Sequence, residues 1–160
     1  MKKRDIEGLT IRWAGKEDWN AAVELVWRTF LASEAKEYTE EGIRLFSEFI
    51  RSRELYEMFL KGQYPVLLAV CDGAPVGVAS LRFETRLSLL FVEKCHWRQG
   101  IGSRLLQKLT EYLKNEEQRY IMTVMAAPGA VDFYKKHGFY CLGEEREYGG
   151  IRVTDMQKNL

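Results

Sequence analysis

One stretch, LLFVEKCHWRQGIGSRLLQKL at residues 89–109, narrows what this chain can fold into more than any other. An apolar run gives way to a basic and aromatic turn. Gly100 and Gly102 follow, and a helix with leucines at helical spacing begins. The first turn of a helix carries N–H groups without intrahelical partners, and the helix dipole adds partial positive charge there. Together they form a site suited to phosphate. Glycine at 100 and 102 removes the Cβ atoms that would hold a ligand off the backbone. The N–H groups from Gln99 through Gly100, Ile101 and Gly102 to Ser103 can then cradle a pyrophosphate. Arg98 and Arg104 supply charge, and the Ser103 hydroxyl is a further donor. Taken alone, Gly-x-Gly before a helix serves a tight turn with close helix packing equally well. Two familiar cradles do not fit. The dinucleotide fingerprint needs a third glycine where Leu105 stands, and a P-loop needs a Gly-Lys-Ser/Thr that is absent.

The periodicity on either side sets the fold class. LTIRWA (9–14) alternates as a strand. Ala22, Leu25, Val26, Thr29 and Phe30 share one helical face. After the polar SEAKEYTEEG, Thr39 is placed to cap a second helix whose apolar face is Ile43, Phe46, Phe49 and Ile50. The helical pattern continues through ELYEMFLKG to a stop at Gly62. YPVLLAVCDG and PVGVASLRFE then read as a hairpin turning at Asp72-Gly73, and RLSLLFV as a third strand. A helix after Gly102, the strand RYIMTVMAA, a short helix AVDFYKKH closed by Gly138, and a last hairpin about Gly149-Gly150 complete the chain. This is an α+β order: a mixed, mostly antiparallel sheet of about six to seven strands with helices on both faces.

The 160 residues, 46% of them hydrophobic, suit one domain spanning 1–160 with a core that needs neither disulfide nor metal. A net charge of +1 and the lack of a basic stripe with interleaved aromatics argue against nucleic acid. Cys71, Cys95 and Cys141 are odd in number and unpaired in spacing, which points to a reducing, cytoplasmic setting. MKKRDIEGLT begins basic without an apolar leader core, and no apolar run is long enough to span a membrane.

FVEKCHWRQGIGSRLL followed by AVDFYKKHGF resembles the GNAT superfamily of acetyl-CoA-dependent N-acetyltransferases. The first segment is similar to its pyrophosphate motif, Q/R-x-x-G-x-G/A. The second is similar to its helix signature F-Y-x-x-x-G-F, here running from Phe133 and Tyr134 to Gly138 and Phe139. The resemblance covers nearly the whole chain. It implies the GNAT fold, acetyl-CoA as co-substrate without a metal, and direct attack by a small-molecule primary amine on the thioester. A protein or peptide amine, a non-catalytic acyl-CoA-binding module and a purely structural domain are the rival readings. A homodimer is left open.

The resemblance assigns the cofactor to the loop of Trp97, Arg98, Gln99, Gly100, Ile101, Gly102 and Ser103, and to the main chain of Phe91 and Val92. The Val92 N–H would polarise the thioester carbonyl. Tyr134 becomes the general acid, since a phenol (pKa about 10) stays protonated near a thiol (about 8.5) and such groups contribute ~10²–10⁴-fold. Three departures stand out. Trp97 fills the slot usually held by Gln or Arg, Met125 stands where many members have Asn, and RLSLLFV has no carboxylate to act as base. Glu84 and Glu93 flank that strand and are the nearest carboxylates in sequence; a chain of waters would serve as well. Cys95 and His96 are neighbours pointing apart rather than a catalytic pair, and His137 suits a helix C-terminus. The stretch with Glu34, Glu37, Glu40 and Glu41 borders the expected acceptor side, where Tyr38, Phe49 and Tyr148 are candidate walls.

Overall fold

The computed structural model describes residues 6–160; the basic start of the chain, on which the leader reading bears, lies at residues 1–5 outside them. The elements run β1 (Leu9–Trp13), α1 (Trp19–Ser33), α2 (Glu40–Ile50), α3 (Arg53–Leu60), β2 (Val66–Cys71), β3 (Ala74–Arg82) and β4 (Arg86–Val92). They continue α4 (Ile101–Glu111), β5 (Ile121–Ala126), α5 (Val131–Lys136), β6 (Tyr140–Cys141), β7 (Arg146–Tyr148) and β8 (Ile151–Asn159). The strands lie in the order β1-β2-β3-β4-β5-β8-β6, with β7 on β8. All pairs are antiparallel except β4–β5. The expected fold class holds. The extra strand is β6, whose two residues are too few to show an alternation. No helix among the described residues is long and apolar enough to cross a membrane.

The helices form where capping and periodicity place them. Ala22, Leu25, Val26, Thr29 and Phe30 are the buried residues of α1. Thr39 caps α2 by accepting the Gly42 N–H at 3.0 Å, and Ser52 caps a separate α3 by accepting the Leu55 N–H at 3.1 Å. Two cores result, one on each face of the sheet. Leu67, Ala79, Leu81 and Leu87 pack under Leu105, Leu106 and Leu109 of α4. On the other face Leu68, Val78, Leu89 and Phe91 pack under Leu25, Val26 and Phe30 of α1.

Two irregularities open the sheet at its centre. Ser80 pairs with Leu89 but Leu81 with Leu87, so Ser88 is an extra residue in β4. Such a bulge bends its strand. Beside β5, β4 pairs only at Arg86↔Thr123 and Leu87↔Val124. From Ser88 to Val92 its β5-facing edge is unpaired and the two strands part.

The β7–β8 turn closes one side of the opening by clamping the start of α2. Gly150 O accepts the Thr39 N–H at 3.0 Å and the Thr39 hydroxyl at 3.1 Å. Gly150 sits at φ +80°, and a Cβ there would stand 2.5 Å from Thr39 Oγ1 and 2.8 Å from the Gly42 backbone. Gly73 has φ +81° with open space around it. Gly73→Ala is therefore expected to cost only the left-handed backbone, about 1–2 kcal/mol. Gly150→Ala adds an overpacking cost of about 1–3 kcal/mol. Urea unfolding of the two variants checks this: a midpoint shift for Gly150→Ala no larger than for Gly73→Ala contradicts the clamp.

Candidate active site

Two cavities meet in the opening between β4 and β5. The first, of about 720 Å³, lies among the end of β4, the 96–103 loop, the start of α4 and α5. Its wall includes His96, Trp97, Arg98, Gly100, Ile101, Gly102 and Ser103; Gln99 is exposed and lies outside it. Gly100 caps α4 at φ +80°, a left-handed conformation natural to glycine, and Arg98 precedes it at φ +63°. The first helical bond across this join runs from the Arg104 N–H to Gly100 O at 3.0 Å. The N–H groups of Ile101, Gly102 and Ser103 before it have no intrahelical acceptor. These amides and Arg98 suit a pyrophosphate in charge and donor chemistry.

The parity of β4 decides which backbone groups reach the opening. The Glu93 N–H donates to Val76 O at 2.8 Å, and Phe91 lies opposite Val78 in the same register. Bonded pairs alternate in an antiparallel ladder, so Leu89, Phe91 and Glu93 turn their backbone to β3, while Leu90 and Val92 turn theirs to the opening. This corrects the expectation for Phe91. Its main chain is spent on β3, and Leu90 stands in its place beside Val92. The Phe91 side chain still lines both cavities. The Val92 carbonyl accepts the Trp97 indole N–H at 2.6 Å, which leaves the Val92 N–H as its free group. Trp97 thus acts within the protein, fastening the loop to the strand.

Ser103 Oγ lies 2.8 Å from His137 Nε2, and His137 Nδ1 lies 2.8 Å from Phe133 O. The ring therefore ties the Ser103 hydroxyl, at the start of α4, to the last turn of α5. His137 does cap the last turn of α5, as its position implies, and it also holds Ser103. Cys95 is exposed; His96, half-buried, lines the first cavity, and its buried Nδ1 has no hydrogen-bond partner among the described residues.

The second cavity, of about 620 Å³, lies under α2 and the β7–β8 turn. Tyr38, Phe49, Met125 and Tyr148 are among its walls, with Phe46, Phe91, Arg82 and Arg86. Among the described residues, six line both cavities: Glu34, Leu90, Phe91, Ala127, Ala130 and Tyr134. Only Glu34 and Tyr134 among them carry ionisable side chains. Glu34 follows the last turn of α1 and has no ion pair or hydrogen bond from its side chain among the described residues. Burial, and then the charge of Glu37, push its carboxyl up to about 7. The Tyr134 hydroxyl likewise has no hydrogen-bond partner among the described residues, while its ring packs edge-on against Phe133 and Phe139. Burial, and then the charge of Glu34, hold the phenol well above its usual range.

The other carboxylates are placed elsewhere. Glu84 pairs with Arg119 at 2.8 Å, and Glu93 is bonded to Arg28. Glu37 lines only the first cavity; Glu41 pairs with Arg44, and Glu40 lines neither cavity. Glu34 is the residue that spacing along the chain does not single out as a base. It lies far in sequence from β4, and only the packing of α1 on the sheet brings it to the junction.

Residues 34–160 match the family model for an acetyltransferase (GNAT) domain. The N-acetyltransferase YafP of Escherichia coli, itself uncharacterized, is 28% identical over 129 residues, covering 81% of this chain and 79% of its own. A GCN5-related N-acetyltransferase structure from Rhodopseudomonas palustris shares the fold with a TM-score of 0.81 at 24% identity, over 97% of this chain and 98% of that one. The PaiA N-acetyltransferase of Thermoplasma acidophilum, solved in complex with coenzyme A, gives 0.77 at 20% identity, over 95% and 99%.

A Cβ on Gly102 would meet Phe133 at 3.7 Å and Val92 at 3.9 Å, ordinary contacts that the protein accommodates. Helix propensity favours alanine over glycine there by up to about 1 kcal/mol. Gly102→Ala is expected to leave the melting temperature unchanged or raised, yet to weaken coenzyme A binding by calorimetry about tenfold or more. Unaltered affinity would show that the missing Cβ serves no ligand.

Proposed function

The chain belongs to the GNAT family of acetyltransferases, and on that footing we propose that it transfers an acetyl group from acetyl-CoA to the primary amine of a small molecule, both being bound at once. One observation carries this reading: the two cavities meet, and Glu34 and Tyr134 are the ionisable side chains at the meeting point. In it, the first cavity takes the coenzyme, with its pyrophosphate on the amides of Ile101, Gly102 and Ser103 beside Arg98. The pantetheine arm runs along the free edge of Leu90 and Val92. The second cavity takes the amine.

Each residue then has a defined task. Glu34, with a carboxyl titrating at about 7, accepts the proton the amine must lose as its nitrogen bonds to the thioester carbon. The Val92 N–H donates to the carbonyl oxygen as negative charge develops on it. Tyr134 stays protonated throughout the working range, because burial holds its phenol up, and it donates a hydrogen bond to the sulfur as the C–S bond breaks. A phenol so weakly acidic stabilises the thiolate without giving up its proton permanently. The proton gained by Glu34 restores the balance, so that the pair together moves one proton from amine to sulfur. Glu34 supplies the carboxylate that β4 lacks, which favours an enzyme over a binding module without turnover.

Two measurements test this. In a thiol-release assay, Tyr134→Phe is expected to lower kcat by ~10²–10⁴-fold with coenzyme A affinity unchanged. For the wild type, kcat/KM should rise with pH through a break near 7, which Glu34→Gln removes while leaving the acceptor amine's own alkaline limb. Stability must move the opposite way. A carboxyl raised in the folded state is unpenalised below its unfolded value near 4.5 and destabilises as pH rises through 7. Glu34→Gln should therefore raise the melting temperature at pH 8 and have little effect near pH 4.5. A variant that loses the rate break without gaining stability at pH 8 would contradict the burial of this carboxyl.

A further inference from the structure

Two arginines line the second cavity and not the first. Arg82 ends β3 and Arg86 begins β4, and they are directly paired across the turn, so both side chains leave the same face of the sheet. Like charges in that position destabilise a hairpin unless an anion lies between them. Among the described residues neither side chain has an ion pair or a hydrogen bond. Arg82 Nε is buried with no hydrogen-bond partner among those residues. Their contacts are with rings: the Arg82 guanidinium lies 5.0 Å from the Phe49 centroid and 4.7 Å from that of Phe83, and Arg86 lies 5.4 Å from Phe83. Rings on the guanidinium faces leave the edges, where the donors are, for an acceptor.

The surrounding carboxylates do not fill this role. Glu48 and Glu54 line a smaller neighbouring cavity that shares Arg82, but neither is within ion-pair distance of it, and Glu48 pairs with Arg44. Glu84 is held by Arg119, and Asp155, which feels Arg86 at longer range, is bonded to Arg146. Arg82, Arg86 and Glu34 line the same cavity, and most of its remaining wall is apolar and aromatic, with Tyr38, Phe46, Phe49 and Leu89.

We propose that the acceptor is an amino acid in the broad sense: an amine joined through an apolar, ring-sized body to a carboxylate, with the carboxylate seated between Arg82 and Arg86. The proposal deepens the acetyl-transfer reading and rests on it only for the amine's position at Glu34. A polycationic amine is disfavoured, because its distal charge would meet two unpaired guanidinium groups.

The test reads binding, so it does not depend on turnover. Calorimetry with the full chain, free and loaded with coenzyme A, would compare 4-(aminomethyl)benzoate and 4-(2-aminoethyl)benzoate with their primary amides. At least one carboxylate should bind about tenfold or more tighter than its amide. Arg82→Gln and Arg86→Gln should each remove most of that preference and leave amide binding unchanged. Arg86, at a strand end, gives an informative variant even if Arg82→Gln fails to fold. Carboxylates that bind no tighter than their amides, or a preference that survives in a folded arginine variant, overturn the proposal. Failure of coenzyme A itself to bind would remove the acetyl-transfer reading and leave the carboxylate comparison on the free protein standing.

Discussion

β4 stays beside β5 for two residues and then leaves it, and the rest of the site follows from that parting. A strand in the middle of a sheet with one edge unpaired has N–H and C=O groups that must find partners elsewhere. The Trp97 indole meets one of them, the Val92 carbonyl. The others face a space bounded by the amino-terminal turn of α4 on one side and by α2 on the other. The bulge at Ser88 bends β4, and the hydroxyl of that same residue lies 2.8 Å from the Tyr64 hydroxyl, which also accepts from Ser80 at 2.8 Å. The irregular residue is thus tied through its hydroxyl to the buried Tyr64 and Ser80, so the opening is a built feature of the sheet.

Helix ends supply the chemistry around that opening. The start of α4 brings amide hydrogens and positive dipole, and the end of α1 brings Glu34. The last turns of α1 contain Thr29 and Ser33, whose hydroxyls bond back to the carbonyls of Leu25 and Thr29. Such back-bonding commonly bends a helix, and here the chain passes at once into the turn of Ala35–Glu37 that sets Glu34 against the sheet. A carboxyl near its own titration point and a phenol far from its own lie on one junction. Opposite tasks for two acids are what such divergence provides.

Much of this is legible in the chain, and the remainder is not, for definite reasons. The Gly-x-Gly join, the Thr39 cap, the apolar face of α1 and the Asp72-Gly73 turn are local signals, and each element forms where its signal lies. Tyr134 lies in a motif of contiguous residues, and it faces the opening. The β4 groups that face β5 are a matter of register, and register is fixed by pairing with β3, which no stretch of β4 encodes alone. The Phe91 main chain is therefore turned to β3, and Leu90 shares the open edge with Val92. Glu34 is hidden for a related reason: it stands among other acidic residues in a polar stretch, and only tertiary packing distinguishes it from Glu40 and Glu41. Arg82 and Arg86 flank a turn where charged residues are common, and only the folded packing shows that they line a cavity and have no ion pair or hydrogen bond among the described residues.

Amide hydrogen exchange, residue by residue, with and without acetyl-CoA, examines the opening most directly. Protection is expected to appear at Leu90, Val92, Ile101, Gly102 and Ser103, while Leu89 and Phe91, already bonded to β3, change little. Protection that appears at Phe91 instead of its neighbours, or none along β4 and the start of α4, would mean that the parted strand and the glycine join do not hold the coenzyme.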